Sequence, residues 1–215
     1  MRRRIDAHVV MEKIIPRITE EYRKLYDIPE DHESMAVFSA DCEDVMWLAV
    51  DDATKKAKIK VIQIETVYGG VDHSWSRYGG EITAIISGEK VADVKSGLHY
   101  AKDYIENKSG NYHLNEDGTL GYYVDYVPRI GKYYQESLGL SEGTSIAYLV
   151  SAPVESMYGL DKALKAADVK MCVLYAPPSE TNFGGALLTG SQSACKAACD
   201  AFAAAVEFVA ENPKE

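Results

Sequence analysis

The stretch SETNFGGALLTGSQSACKAACDAF, Ser179–Phe202, decides how the whole chain is to be read. A polar loop, Ser179–Asn182, passes through Gly184-Gly185 into a short apolar strand that stops at Thr189-Gly190. A helix rich in Ala and Cys begins within a few residues. Glycine at the end of an apolar run followed by Ser and Gln is the local signal for that order. The stretch holds no nucleophile–base pair and no ligand set at metal spacing. It is the closing half of a module that occurs twice.

Working outward, Pro16-Arg17-Ile18 recurs as Pro128-Arg129-Ile130, and Met35-Ala36 as Ile146-Ala147. The block Ala53–Val61 recurs as Ala163–Met171, and Ser87-Gly88 as Thr189-Gly190. Blocks repeated in one order, each inside the same predicted element, indicate duplication of an α/β unit of about 105 residues. That period is too long for a solenoid, so the copies are expected as tandem domains, 1–108 and 109–215, meeting near Lys108–Gly110.

In the first copy, Ile5–Ile15 reads as a strand and Arg17–Tyr26 as a helix with Pro16 in its first turn. Ile18, Tyr22 and Leu25 share one face of that helix. Met35–Ala40 reads as a strand, and a helix follows to about Lys58 with Val50, Ala53 and Ala57 inward. Ile59–Ile64 and Glu81–Ile86 read as strands separated by a long polar loop. Val91, Val94, Leu98, Ala101 and Ile105 keep helical spacing. The second copy repeats the order from Tyr122–Val127. Its last helix carries Ala194, Ala198, Ala201, Ala205 and Phe208 as an apolar stripe.

A content of 47% hydrophobic and 26% charged residues in 215 is that of an ordinary globular protein. The net charge of −10 argues against nucleic-acid and anionic-membrane partners, which need a basic face. No run is long and apolar enough for a transmembrane helix. Arg2-Arg3-Arg4 is followed by acidic and polar residues rather than an apolar signal core, so a cytoplasmic location is expected. The cysteines Cys42, Cys172, Cys195 and Cys199 are then expected as reduced thiols. Fifteen tyrosines against four phenylalanines suit half-buried interface positions. The signatures for phosphate-binding loops, dinucleotide binding, zinc hydrolysis and nucleophile elbows are absent, so no catalysis, cofactor or metal is expected.

The blocks Ala163–Met171, Pro177–Phe183 and Leu188–Phe202 closely resemble the tandem-domain shell proteins of bacterial microcompartments, of the ethanolamine-utilisation type. Ser39-Ala40-Asp41, Asp44-Val45 and Asp52–Lys55 match in the first copy, whereas residues 1–34 and the loop Val67–Gly80 depart from the pattern. The resemblance implies a mixed α/β fold of two permuted microcompartment domains, each an antiparallel sheet flanked by helices. It implies a homotrimer that mimics a hexagonal tile, packed with other shell proteins and pierced by a gated pore for small metabolites. The pore loops carried over are Tyr68–Gly80, with Tyr68, Gly69, Gly70, His73, Trp75, Arg77 and Gly79, and Pro177–Gly185, with Ser179, Glu180, Thr181, Asn182, Phe183 and Gly184. Their glycines suit hinges of moving loops. His73 reads equally as an ordinary loop histidine.

Asp41, Glu43 and Asp44 open a helix, where acids favour the positive end of the dipole by about 0.3–1 kcal/mol each. Asp44 finds an acidic counterpart in Glu155, which supports that reading. Glu43 and Glu81 lack acidic counterparts and read either as solvated surface or as acceptors for a small cation. The resemblance implies a small-amine site near Asp41, Glu43, Asp44, Glu81 and Tyr112. Cys195 and Cys199 lie four apart on one helix face with nothing to complete a tetrahedral metal set, so they read as core packing. The competing class is a small-molecule-binding regulator or enzyme built on the duplicated α/β domain.

Overall fold

The computed structural model describes residues 3–67, 81–116, 120–177 and 183–214. In chain order the elements are β1 (Arg4–Asp6), β2 (Val9–Ile15), α1 (Glu20–Leu25), β3 (Ser34–Ala40), α2 (Glu43–Thr54), β4 (Lys60–Val67), β5 (Glu81–Gly88) and α3 (Val91–Asn107). There follow β6 (Gly110–His113), β7 (Gly121–Val127), α4 (Lys132–Leu138), β8 (Ser145–Ser151), α5 (Pro153–Ala166), β9 (Val169–Tyr175), β10 (Gly184–Gly190) and α6 (Gln192–Glu211). The chain divides into two compact units, an amino unit of residues 6–110 with 131–137, and a carboxy unit of residues 1–5, 111–130 and 138–215.

The amino unit holds a sheet in the order β2-β3-β5-β4, antiparallel throughout. The carboxy unit's sheet runs β1-β6-β7-β8-β10-β9, and its β6–β7, β7–β8, β8–β10 and β9–β10 pairs are antiparallel. Mixed α/β architecture with antiparallel sheets is what the repeat and the resemblance implied. Every residue of β8 is buried, as are all but Val37 of β3. Central strands covered on both faces become continuous apolar runs, which is why SMAVFSA and SIAYLVS lack alternation. In the carboxy unit Leu149 and Leu188 of the sheet pack with Leu160 and Ala163 of α5 and Phe202 and Val206 of α6.

The duplication reappears as repeated tertiary bonds. Ser34 Oγ donates to the Pro16 carbonyl at 2.7 Å, and Ser145 Oγ to the Pro128 carbonyl at 2.8 Å. The Ile18 N–H donates to the Glu33 carbonyl and the Ile130 N–H to the Thr144 carbonyl, each at 2.9 Å. The Pro-Arg-Ile block is thus a lead-in strapped beside the next strand.

Four expectations change. The first helix begins only at Glu20, with Thr19 as N-cap accepting the Tyr22 N–H at 3.3 Å, because Pro16–Ile18 is held by Ser34 and Glu33. Its face does not bury as a set: Ile18 is 6% exposed, but Tyr22 is 44% and Leu25 70% exposed. The second helix stops at Thr54 rather than Lys58, where the last turn tightens and the Lys55 and Lys56 N–H groups donate to the Asp52 and Ala53 carbonyls. In α6 the buried residues are Cys195, Ala198, Cys199, Phe202, Ala203, Ala205 and Val206, so Ala198 and Ala205 of the expected stripe are buried, Ala194 and Ala201 half-buried and Phe208 43% exposed. The two cysteines are core residues, and burial pushes their thiols above the ordinary value.

Candidate functional site

The acidic cluster is assembled at one end of the amino unit's sheet. Ala40 pairs with Ile82 across β3 and β5, so Asp41 and Glu81 leave the ladder side by side. Val67, the end of β4, pairs with Glu81. Val67 and Glu81, the described residues on either side of positions 68–80, therefore both stand at the sheet end where α2 begins with Glu43 and Asp44. The carboxy unit repeats this arrangement: Ser151 pairs with Gly184, α5 starts just beyond Ser151, and β9 ends at Tyr175.

Asp41 is engaged by a residue that sequence reasoning missed. Its Oδ1 accepts the His8 N–H at 2.7 Å, and its Oδ2 lies 3.0 Å from His8 Nδ1. Nothing local in the sequence announces this pair, because β2 and β3 meet only in the fold. Asp44 is buried at 3% exposure in the first turn of α2. Cys42, the N-cap residue, is buried as well, and burial and then the charge of Asp44 push its thiol far above the usual range. Glu43 and Glu81 are half-buried. The helix frame also revises one correspondence. Buried Met46, Val50 and Ala53 of α2 match buried Ser156, Leu160 and Ala163 of α5, which sets Asp44 against Val154 rather than Glu155.

Tyr112 lies on β6 in the carboxy unit, its ring 5.6 Å from that of Tyr122, whose hydroxyl donates to Glu207 at 2.7 Å. Gly184 is the first residue of β10, opposite Ser151, and Phe183 immediately before it is half-buried. Tyr68, Gly69, Gly70, His73, Trp75, Arg77, Gly79, Ser179, Glu180, Thr181 and Asn182 lie outside the described residues. A cavity of about 490 Å³ in the amino unit is lined by His32, Lys58, Lys60, Glu89, Lys132 and Glu136 among others, a mixed-charge wall. His32 Nδ1 lies 2.7 Å from Ser87 Oγ there, and burial holds its pKa below the ordinary imidazole value. Among the described residues no three His, Cys, Asp or Glu side chains converge as a metal site, and no helix is long and apolar enough to cross a membrane.

The BMC domain family matches residues 34–116. The chain is 47% identical over 209 residues to the bacterial microcompartment shell protein EutL of Clostridium perfringens, spanning 97% of this chain and 96% of that one. It is 38% identical to the EutL shell protein of Escherichia coli, spanning 97% and 95%. The crystal structure of the ethanolamine utilization protein EutL from Leptotrichia buccalis superposes with a TM-score of 0.94 at 47% identity, covering 100% of this chain and 99% of that one. Identity of this extent, together with the repeated strap bonds and twin sheet ends, makes the chain a member of the EutL family of bacterial microcompartment shell proteins, which are structural proteins and not enzymes.

Proposed function

We propose that three copies of this chain form a pseudohexagonal tile in a cytoplasmic microcompartment shell, with a central gated pore lined by segments 68–80 and 177–185. The carrying observation is the twin sheet end: each unit releases one segment between the last two strands of its sheet, beside the start of a helix. Three chains with two such ends each supply six positions around a ring, and cyclic closure is the common fate of head-to-tail interfaces. Passage is by diffusion, with selectivity set by bore, charge and hydrogen-bonding groups. The relatives' names point to a compartment of the ethanolamine-utilisation type. Other shell proteins are the partners at the tile edges. The two domains divide as 1–108 and 109–215.

Size-exclusion chromatography with light scattering, followed by electron microscopy of concentrated protein, tests this. The expected result is the mass of three 23.7 kDa chains and hexagonal layers. A single chain at all concentrations rejects the tile.

Within this tile Glu43, Asp44 and Glu81 form the acidic side of a site for a small primary amine. Asp41 contributes less, since both its oxygens face His8. Tyr112 is the aromatic member carried over from the family pattern. Calorimetry with ethanolamine should register binding that Glu81→Gln weakens. No heat from the native protein removes the amine site and leaves the shell reading intact.

A further inference from the structure

Helix α2 carries Trp47, Asp51 and Thr54 along one stripe, and within the amino unit residues 131–137 cover it. Asp51 accepts the Gly131 N–H at 2.7 Å and the Tyr134 N–H at 3.1 Å, and Thr54 Oγ1 accepts the Lys132 N–H at 2.9 Å. The Trp47 and Tyr133 rings stack at 5.9 Å, and Lys58 and Glu136 line the same cavity. The repeat places Met157, Asp161, Leu164 and Asp168 at the positions of Trp47, Asp51, Thr54 and Lys58. Here the stripe is bare. Met157 is 54% and Leu164 38% exposed, the Asp161 side chain 49%, and Val154 one turn earlier 71%.

The covering segment also has a counterpart. Pro16-Arg17-Ile18 matches Pro128-Arg129-Ile130, so α1 matches α4, with Tyr22 at the position of Tyr134 and Lys24 at that of Glu136. Tyr134 is 4% exposed, whereas Tyr22 and its neighbour Leu25 stand out in solvent. One docking thus occurs complete in the chain, and a second as two uncovered halves.

We propose that α1 of one copy of this chain docks on the Val154–Met157–Asp161–Leu164 stripe of α5 in a second copy. The proposal rests on the homotrimer reading above and names the surfaces that join. Tyr22 and Leu25 supply the apolar patch for Met157 and Leu164. The charges at the joint exchange signs: Lys58 and Glu136 border one cavity in the covered case, and Asp168 and Lys24 hold the matching positions in the bare one. The joint is looser than its counterpart for a steric reason. A Cβ at Gly131 would lie 2.2 Å from the Asp51 carbonyl oxygen, and Thr19, at the matching position, has one. Thr19 also caps its own helix, so α1 needs no carboxylate from a partner. A head-to-tail joint of this kind adds copies until the ring closes.

Analytical ultracentrifugation of the full chain, with circular dichroism to confirm folding, tests it. Leu25→Glu and Leu164→Glu are each expected to reduce the native oligomer to 23.7 kDa chains. Lys24→Glu should raise the half-assembly concentration about tenfold, and Asp168→Lys added to it should restore the native value. Unfolding cannot mimic that restoration, so the charge pair decides if a leucine variant fails to fold. A native chain that is monomeric overturns both the tile and the docking. A native oligomer indifferent to both leucine substitutions, or a double charge variant no better than the single, overturns the docking alone.

Discussion

Helices α2 and α5 occupy the same place in the two copies and share their inward stripe, yet their outer faces have diverged. Met46, Val50 and Ala53 of α2 are buried, as are Ser156, Leu160 and Ala163 of α5. On the outer side, Asp51 has 1% of its side chain exposed and holds two backbone N–H groups, with Lys55 Nζ at 3.4 Å. Asp161 keeps the matching lysine, Lys165, at 2.7 Å, but its side chain is 49% exposed. One carboxylate has become part of a core, and the other is an ordinary surface ion pair. Inward packing is therefore dictated by each copy's own sheet, while the outer face follows what covers it.

The electrostatics of the covered side follow from that burial. Desolvation drives the Asp51 carboxyl above the ordinary carboxylate value, against the opposing pull of Lys55 and the Gly131 and Tyr134 amides. Burial, and secondarily the charge of Asp51, pushes Tyr133 up to about 12. A buried carboxylate that satisfies two amides is costly to remove, because the amides would be left without acceptors.

The comparison can be broken most forcefully at Gly131. Its added Cβ would meet the Asp51 carbonyl oxygen at 2.2 Å and Thr54 Oγ1 at 2.4 Å, and neither neighbour can yield cheaply. Gly131→Ala is expected to destabilise by about 3 kcal/mol or more, whereas Thr19→Gly at the matching site should cost only a few tenths of a kcal/mol. Urea unfolding of both variants measures the contrast, and equal losses would mean that the two sites are packed alike.

Asp51→Ala should come next, at about 1–3 kcal/mol, against about 0.5 kcal/mol or less for Asp161→Ala measured on the protomer. A large loss at Asp161 in a dissociated chain would contradict its surface role. Smaller again is a pH effect that only the first copy can show. His32 has its pKa lowered in the fold, so neutral imidazole is the favoured native form. Its contribution is complete above the ordinary value of 6.5 and is lost as pH falls from there through the lowered native value. Gly143 occupies the corresponding place in the second copy and cannot titrate. Thermal melts between neutral and mildly acid pH should therefore show a decline that His32→Gln reduces, and an unchanged slope would remove His32 from the account.

Much of this was legible in the order of residues. Pro-Arg-Ile twice, two central apolar strands and two glycine-closed strands announce a duplicated α/β unit. The Ser34 and Ser145 straps show why those blocks are paired at all. Misreadings fell where a helix face was assigned without knowing its neighbour. Tyr22 and Leu25 have the spacing of a buried stripe but stand exposed, because periodicity reports an apolar face and not what lies against it. Phe208 likewise has the spacing of the alanine stripe but stands exposed, whereas Ala198 and Ala205 are buried beside Cys195, Cys199 and Phe202.

At the candidate site the acids near one helix start could be listed from sequence. That Asp41 is bonded to His8, and that Glu81 opens its strand beside it, required the pairing of β2 with β3 and of β3 with β5. By itself, the sequence determined the duplication, the order of elements and the kinship with shell proteins, because these are written in local pattern and repetition. Only the tertiary structure decided which of two matching aspartates is buried. Burial depends on a segment eighty residues away in the chain closing over one helix and not over its twin.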